Sequence, residues 1–360
     1  NFIKALKEKG VNLLSVGKVI VATWEPFQNV VLQTIKKFGI ERQIIFNKGA
    51  VMILPPGINK ATGLQSLLNQ LHFSHHNLVA IGDAENDSAM MLTAECAVAV
   101  NNALPSLKQV ADFVTTSSHE KGVIELANML LENDLDTITK KQTRHNISLG
   151  KCEDGNEFSI RPYRPGILLT GSSGGGKSTF TVSITESLAN SGYQFCLIDP
   201  EGDYLELPDT LIIGNKKAVP ELKEIIELLK PAKQNVVICI LSIPLQDRPS
   251  FFLNILPVIN QCRNEYGHPH WLLIDEVHHL VPKSIVTPLF EDLNNFILIG
   301  HDVGAIATEL LKKTRMIMVV GKNIEKSLSQ YCKITNISMP KNINPIELGQ
   351  VYIYDFDNSN

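Results

Sequence analysis

Short apolar runs alternate with amphipathic stretches along the first half of the chain. The apolar runs are rich in β-branched residues, which is typical of strands, and the stretches between them repeat apolar residues at helical spacing. Predicted strands are 18–23, 43–46, 50–54 and 78–81, and predicted helices are 29–38, 62–71, 87–92, 104–111 and 122–132. This alternation predicts an α/β fold for the first half.

The second half continues the same alternation with longer and more apolar runs. Predicted strands are 166–170, 194–198, 210–213, 236–241, 271–274, 296–299, 316–320 and 351–354, and predicted helices are 219–229, 249–266 and 303–312, with a further helix beginning at 179. Nearly continuous apolar strands separated by helices indicate a doubly wound sheet that is covered on both faces. The second half is therefore also predicted to be α/β.

A polar, charged segment at 133–165 separates the two halves. Its pattern predicts a β-hairpin with strands near 147–149 and 158–160, and prolines at 162 and 165 follow. We therefore divide the chain into a first domain at 1–132, a linker with a hairpin at 133–165, and a second domain at 166–360.

Net charge, cysteine spacing and hydropathy limit the classes of function that are expected for this chain. The 360 residues carry a net charge of −4, so charge does not support DNA as a partner, although it leaves DNA possible. The six cysteines lack metal-ligand spacing, and several lie in apolar runs, which predicts buried free thiols in a reducing cytoplasm. No membrane-spanning stretch or signal peptide is visible, so no membrane partner is expected.

The chain starts at Asn1 inside a helical pattern, from which we expect residues upstream to be missing.

The segment 171–178 matches the phosphate-binding pattern G-x-x-x-x-G-K-[ST], between a predicted strand and a predicted helix. Its glycines allow backbone N–H groups to surround phosphate oxygens. Lys177 supplies a charge for the phosphates, and the Ser178 hydroxyl can ligate Mg²⁺. The predicted nucleotide-binding residues are Gly171, Ser172, Ser173, Gly174, Gly175, Gly176, Lys177, Ser178 and Thr179. The pattern predicts ATP and Mg²⁺ as cofactors.

Two adjacent carboxylates, Asp275 and Glu276, end the apolar run 271–274. At the carboxyl end of a parallel strand they would reach the crevice that holds phosphates. Asp275 is then the candidate Mg²⁺ ligand and Glu276 the candidate general base for water. Acids at a helix start are an alternative, since they also stabilise a helix dipole. His278 follows the pair, either as a relay to the γ-phosphate or in a packing role.

A second acidic cluster, Gly-Asp-Ala-Glu-Asn-Asp at 82–87, follows the predicted strand 78–81. Its carboxylate and amide oxygens are the hard ligands that Mg²⁺ prefers. An Asx-rich turn capping the next helix is the alternative interpretation. Lys60 lies upstream in Asn-Lys-Ala-Thr-Gly-Leu at 59–64.

These two segments resemble the third and fourth motifs of haloacid-dehalogenase-type (HAD) phosphatases, and the resemblance covers about 16–130. It implies a partial HAD-like Rossmannoid domain with a cap remnant at about 1–56, which includes 46–50. It also implies that Lys60 is catalytic and neutralises the phospho-enzyme, that Asp83 and Asp87 serve the metal site, and that Asn86 positions Lys60. A phosphorylated small molecule is the implied substrate.

The HAD nucleophile motif D-x-D-G-T is not found in this sequence. Either the chain is truncated or the phosphatase is inactive, and the start at Asn1 favours truncation. We expect no phosphatase activity from the chain as given.

The second half resembles HerA/FtsK-type ATPases over about 145–355. The phosphate loop, the strand with its acidic pair at 271–276, and Asp-Pro-Glu-Gly-Asp-Tyr at 199–204 carry the resemblance. It implies a RecA-like P-loop NTPase domain that forms a homo-oligomer. His301 stands where many relatives have a polar sensor, although a capping or packing role is the alternative. The arginine that completes a neighbour's site is left open among Arg248, Arg263 and Arg315.

We therefore expect Mg²⁺-dependent ATP hydrolysis by a domain fused to a partial phosphatase, an order that resembles a bacterial fusion architecture. One alternative is a phosphatase, active when full length, that the ATPase regulates. Another alternative is a nucleotide-gated switch or scaffold without motor activity.

Overall fold

The computed structural model describes residues 1–135, 138 and 142–356. The chain forms two compact units. The first consists of Asn1–Leu71 with His75–Gln142, and the second of His72–Ser74 with Thr143–Asn360. None of the helices in the described part of the chain is long and apolar enough to cross a bilayer.

The first unit begins with a four-stranded antiparallel sheet. Its strands are β1 (Ser15–Val16), β2 (Val21–Trp24), β3 (Gln43–Asn47) and β4 (Ala50–Leu54), in the order β1-β2-β4-β3. The helices Phe2–Glu8 and Gln28–Phe38 belong to the same region, and Leu6, Val31 and Ile53 share one buried cluster. The sheet and these helices lie within the residues that the sequence assigns to a cap.

The rest of the first unit is a parallel sheet of β5 (Val79–Gly82), β6 (Cys96–Ala99) and β7 (Phe113–Val114). Its helices are Lys60–Leu71, Ser88–Thr93, Pro105–Val110 and His119–Asn133. The sequence did not predict β6, because its four residues are short and alanine-rich and lack a strong strand signal. This sheet and its helices form the α/β part of the first unit.

The second unit contains the predicted hairpin, β8 (Ile147–Lys151) and β9 (Glu157–Ile160), and an eight-stranded sheet. The sheet strands are β10 (Gly166–Gly171), β11 (Phe195–Asp199), β12 (Thr210–Ile213), β13 (Asn235–Cys239), β14 (Trp271–Ile274), β15 (Phe296–Gly300), β16 (Thr314–Val320) and β17 (Val351–Asp355). Their order is β12-β13-β11-β14-β15-β10-β16-β17, and only β17 is antiparallel to its neighbour.

Helices cover both faces of this sheet, which explains the continuous apolar strands. They are Lys177–Asn190, Leu222–Leu229, Arg248–Tyr266, Val277–Leu280, Thr308–Lys312 and Ile324–Thr335. All residues of β10, β11, β13, β14 and β15 are buried. The doubly wound α/β prediction is confirmed.

One helix prediction in this unit is wrong, and one helix was not predicted. The predicted helix 303–312 is broken, because Ile306 takes an extended conformation and forms a β-bridge to Pro282, leaving a 3₁₀ turn at Val303–Ala305. The sequence also missed the helix Ile324–Thr335, which buries one face that includes Leu328 and Tyr331. In both cases tertiary packing decides the local structure.

All six cysteines lie in the described residues, and none of them forms a disulfide. Five are buried, as predicted, and Cys152 is exposed beside the hairpin. Burial raises the pKa of Cys196 to about 12, so its thiol stays protonated and behaves as an apolar side chain.

Candidate nucleotide and phosphate sites

The phosphate loop lies between the end of β10 and the helix Lys177–Asn190. Gly174 and Gly176 have φ angles of +69° and +97°, in the left-handed region that glycine adopts at no steric cost. At Gly171 an added Cβ would lie 2.2 Å from the carbonyl oxygen of Val320, at the end of β16. The glycines therefore allow both the turn and its close approach to the sheet.

Lys177 is buried at the base of this loop. Its Nζ donates to the carbonyl oxygens of Gly171 at 3.3 Å and Ser172 at 3.4 Å. These acceptors are neutral, so the lysine charge is not balanced by a carboxylate in these contacts. Ser173 and Thr179 are exposed at the same end of the helix. The loop thus presents an available positive charge together with a helix N-terminus, as an anion site requires.

Ser178 contacts a residue that the sequence gave no role of its own. Its hydroxyl lies 3.2 Å from Oδ2 of Asp203, in the loop after β11. That loop is held by Asp199, whose carboxylate accepts the backbone N–H groups of 201–204. Burial raises the pKa of Asp199, although these hydrogen bonds act in the opposite direction. The Asp-Pro-Glu-Gly-Asp-Tyr segment thereby places a carboxylate beside the predicted metal ligand.

Asp275 follows β14 and is buried. Burial raises its pKa to about 7, the N–H of Glu276 lowers it, and the carboxylates of Glu276, Asp199 and Asp203 raise it further. Because several carboxylates lie close together where burial limits their solvation, a cation bound among them is favoured. The hydroxyl and carboxylate oxygens of Ser178, Asp203 and Asp275 are hard donors that fit Mg²⁺.

Glu276 adopts a left-handed backbone conformation with φ of +40°. Its Oε2 lies 3.3 Å from Nδ1 of His278 and 3.3 Å from Nδ1 of His301. His301 follows β15, the parallel neighbour of β14, so the sheet register brings the two side chains together. The capping role in this loop belongs to Asp302, whose side chain accepts from the N–H of Gly304.

His278 lies beside the candidate base and is largely buried. Burial, followed by the neighbouring imidazole of His279, lowers the pKa of His278 to about 4, so the ring is neutral near pH 7. The His278 and His301 rings meet edge to face, with centroids 4.4 Å apart. The structure therefore places two imidazoles around Glu276, that of His301, a possible polar sensor in the sequence analysis, and that of His278, a possible relay there.

Two of the three arginine candidates are used within their own unit. The Arg248 guanidinium donates to the carbonyls of Ile243 and Pro200. The Arg263 guanidinium donates to four backbone carbonyls, and burial lowers its pKa to about 10. Arg315 is exposed near the amino end of β16, whereas the phosphate loop lies at the carboxyl end of the adjacent parallel strand β10. Of the three, only Arg315 remains a candidate for a neighbour's site.

The second candidate site, in the first unit, joins Lys60 to Asp87. Lys60 Nζ lies 2.5 Å from Oδ1 of Asp87, whose Oδ2 accepts the N–H groups of Asp83 and Ala84. A Cβ added at Gly82 would lie 2.5 Å from Cβ of Asp87, so this approach requires glycine. The lysine of one motif and an acid of the other thus form one ion pair.

Lys48 is the residue of this site that the sequence did not identify. It lies in the turn between β3 and β4, with φ of +46° followed by Gly49 at +89°. Its Nζ pairs with Asp83, and its backbone N–H donates to Glu85 at 3.1 Å. Among the described residues, no hydrogen bond joins Asn86 to Lys60. The two predicted metal-site acids are each paired with a different lysine, Asp83 with Lys48 and Asp87 with Lys60.

Comparison with known proteins gives a different family for each half of the chain. A family model described as the central domain of helicase HerA matches residues 166–358, more than half of the chain. A model for haloacid dehalogenase-like hydrolases matches residues 3–126. The two matches cover the two regions on which the sequence motifs were found.

Two curated relatives each match less than a third of the chain. Phosphoglycolate phosphatase 2 of Saccharolobus solfataricus is 36% identical over 103 residues, covering 29% of this chain and 42% of that protein. The phosphoglycolate phosphatase of Methanothermobacter thermautotrophicus is 35% identical over 98 residues, covering 27% and 43%. The chain thus spans less than half the length of these relatives.

Solved structures are similar to each half at low identity. The genome packaging NTPase B204 from Sulfolobus turreted icosahedral virus 2, in complex with ATP-gammaS, aligns with a TM-score of 0.43 at 18% identity. That alignment covers 55% of this chain and 94% of the NTPase. A haloacid dehalogenase-like hydrolase from Bacteroides thetaiotaomicron aligns with a TM-score of 0.27 at 24% identity, covering 32% and 45%.

Replacing Asp275 by Asn tests the raised pKa. Because the folded-state pKa of about 7 exceeds the usual 3.8, ionisation of Asp275 costs the folded state an amount that grows from about pH 4 to pH 7. Without metal or nucleotide, the Asn variant should gain free energy of unfolding over the wild type as pH rises from 5 to 8. The gain between pH 5 and pH 8 should reach at most about 3 kcal/mol, because about two pH units lie between pH 5 and the pKa of about 7 and each is worth about 1.4 kcal/mol.

Urea unfolding in the presence of a chelator measures this difference. The exposed Asp292, replaced by Asn, is the matched control and should follow the wild type at every pH. If the stability difference between Asp275→Asn and wild type is the same at pH 5 and pH 8, the raised pKa is wrong.

Proposed function

This chain belongs to the family of the HerA helicase central domain, and on that premise we propose that its second unit binds ATP and hydrolyses it with Mg²⁺. One observation carries the proposal. The phosphate loop follows β10, and the buried acid and candidate base follow β14, so all three lie at the carboxyl ends of parallel strands that β15 separates in one sheet, where nucleotides bind in such folds. A residue set for hydrolysis, rather than for binding alone, is present at this edge.

Each residue has a definable role in this reaction. The N–H groups of the loop and the Lys177 ammonium bind phosphate oxygens, replacing the contacts that Lys177 makes to Gly171 and Ser172. Ser178 and Asp275 would hold Mg²⁺, and the bound ion would neutralise charge on the β- and γ-phosphates. Glu276 accepts the proton of the attacking water, and His301, whose Nδ1 is hydrogen-bonded to Oε2 of Glu276, orients its carboxylate.

Two variants separate binding from chemistry. Lys177→Ala should abolish ATP binding, because it removes the charge at the base of the loop. Glu276→Gln should bind ATP normally and lower kcat by about 10²–10⁴-fold, the usual contribution of a positioned base. Binding is measured by titration calorimetry and turnover by phosphate release, each with and without DNA.

The exposed Lys216 provides the matched control for charge, and Lys216→Ala should bind and hydrolyse ATP as the wild type does. Wild-type turnover by Glu276→Gln would show that Glu276 is not the base. ATP binding without any wild-type turnover would favour the nucleotide-gated switch or scaffold instead.

We further propose that the active site is completed by Arg315 of a neighbouring copy in a homo-oligomer. Arg248 and Arg263 already donate to carbonyls of their own unit, whereas Arg315 is exposed. Because Arg315 lies towards the opposite end of the sheet from the phosphate loop, it is placed to serve a neighbour's site rather than its own. An arginine acting in trans would stabilise charge that develops on the γ-phosphate.

Mixing two inactive variants tests this arrangement. Arg315→Ala should lower kcat by about 10³-fold, within the range known for such arginines. Mixed with Glu276→Gln, it should regain activity, because one copy supplies the arginine and the other the base. The control mixes Arg315→Ala with the double variant Arg315→Ala/Glu276→Gln and should show no gain. Equal activity of the two mixtures contradicts an arginine in trans.

A phosphatase acting on a phosphorylated small molecule, when full length, is the second candidate function. It is favoured by the Lys60–Asp87 pair and by sequence identity to phosphoglycolate phosphatases over part of their length. In that reaction Lys60 would neutralise the phosphorylated nucleophile, and Asp83 and Asp87 would serve a Mg²⁺ site. The ATPase would then be a regulatory domain.

The chain as given should not turn over p-nitrophenyl phosphate, because covalent phosphoryl transfer needs an in-line nucleophile and no D-x-D-G-T motif is present. Release of nitrophenolate by the purified chain, measured by its absorbance and lost in Asp83→Asn, would contradict this expectation. An activity that survives in Asp83→Asn indicates a contaminating phosphatase.

A further inference from the structure

The side chains around the candidate base have a feature that ATP hydrolysis does not require. Oε2 of Glu276 and the Nδ1 atoms of His278 and His301 all lie within 4.8 Å of one another. Two of the three separations, those from Oε2 to each imidazole nitrogen, are 3.3 Å. Three donor atoms thus converge on one point without any change in the structure.

The two separations of 3.3 Å match the distance between neighbouring ligand atoms around a tetrahedral metal ion. With metal–nitrogen and metal–oxygen distances of about 2.0–2.2 Å, neighbouring ligand atoms of a tetrahedron are about 3.3–3.6 Å apart. Three protein ligands and one open position are also the usual arrangement at zinc sites where the metal keeps a water molecule.

His278 provides the second, independent observation. Its side chain is 10% exposed, and its Nδ1 has no hydrogen-bond partner of acceptable geometry among the described residues. A buried polar atom without a partner costs free energy, which a ligand at that atom would recover. His301 is 49% exposed, so a solvated ion can reach the cluster from this side.

The donor types indicate which ion would bind. Imidazole nitrogens suit Zn²⁺ and similar transition metals, whereas Mg²⁺ prefers oxygen ligands such as Ser178 and Asp275. We propose that Glu276, His278 and His301 form a binding site for a transition-metal dication of the Zn²⁺ class, which inhibits ATP hydrolysis when occupied. This site is chemically distinct from the proposed Mg²⁺ site beside it.

Inhibition follows from the identity of the oxygen ligand, and this part rests on the proposed function. A Glu276 carboxylate that coordinates a dication is a weaker base and cannot turn toward the attacking water. ATP binding involves the phosphate loop and Lys177 instead, so it should persist while hydrolysis stops. Zn²⁺ would thus hold the domain in its ATP-bound state.

Binding is tested first with Co²⁺, whose visible absorption reports nitrogen ligands. The whole chelator-treated chain should show Co²⁺ bands that Zn²⁺ abolishes. His301→Ala should weaken this binding at least tenfold, since it removes one of three ligands. His278→Ala should do the same, and the half-exposed His301 keeps the test decisive if the buried His278 variant does not fold. His279→Ala is the control, because His279 contacts His278, with ring centroids 3.9 Å apart, but lies outside the cluster.

Inhibition is measured next, at saturating Mg²⁺ and ATP. Zn²⁺ should lower the turnover of wild type and His279→Ala at matching concentrations, and His301→Ala should need at least tenfold more Zn²⁺ for the same fractional inhibition. Unchanged Co²⁺ binding in the folded His301→Ala variant overturns the metal site, whatever the ATPase result. A protein with no ATPase activity but with His301-dependent Co²⁺ bands refutes the proposed function and retains the site.

Discussion

Burial of carboxylates at one edge of the large sheet is the constraint on which the nucleotide site depends. Asp199 ends β11 and Asp275 follows its neighbour β14, and both are buried. Burial raises the pKa of both acids, and in the described part of the chain neither forms a salt bridge. Asp203, held by Asp199, adds a third negative charge. A cation that binds among these carboxylates stabilises the site. The same buried acids therefore determine both the electrostatics of the site and the metal-dependent chemistry proposed for it.

The lysines at the candidate sites of the two units differ in whether a carboxylate compensates their charge. In the first unit, Lys48 and Lys60 are each paired with a carboxylate of the Asp83–Asp87 segment, so their charges are already compensated. In the second unit, Lys177 contacts neutral carbonyl oxygens, and its charge remains available to an incoming anion. The difference favours ATP binding as the activity of the chain as given.

Local patterns were enough to predict the phosphate loop, the acidic pair and the α/β alternation, because each is encoded in a continuous segment. The contacts that required the fold are those between distant segments. Lys48 reaches Asp83 only through a β-hairpin turn, and His301 reaches Glu276 only because β14 and β15 are neighbours. The broken helix at 303–312 was unpredictable for a related reason, since the bridge from Ile306 to Pro282 is a tertiary contact. The sequence motifs were therefore enough to identify most of the candidate functional residues, whereas the contacts between residues of distant segments depend on the topology of the fold.

The left-handed backbone at Glu276 means that folding and chemistry favour different residues at this position. A non-glycine side chain in that conformation costs about 1–2 kcal/mol, which Gly or Asn would largely avoid. Neither Gly nor Asn carries a carboxylate that can accept a proton from water. Screening this chain for thermal stability alone would therefore select for loss of the proposed base at position 276.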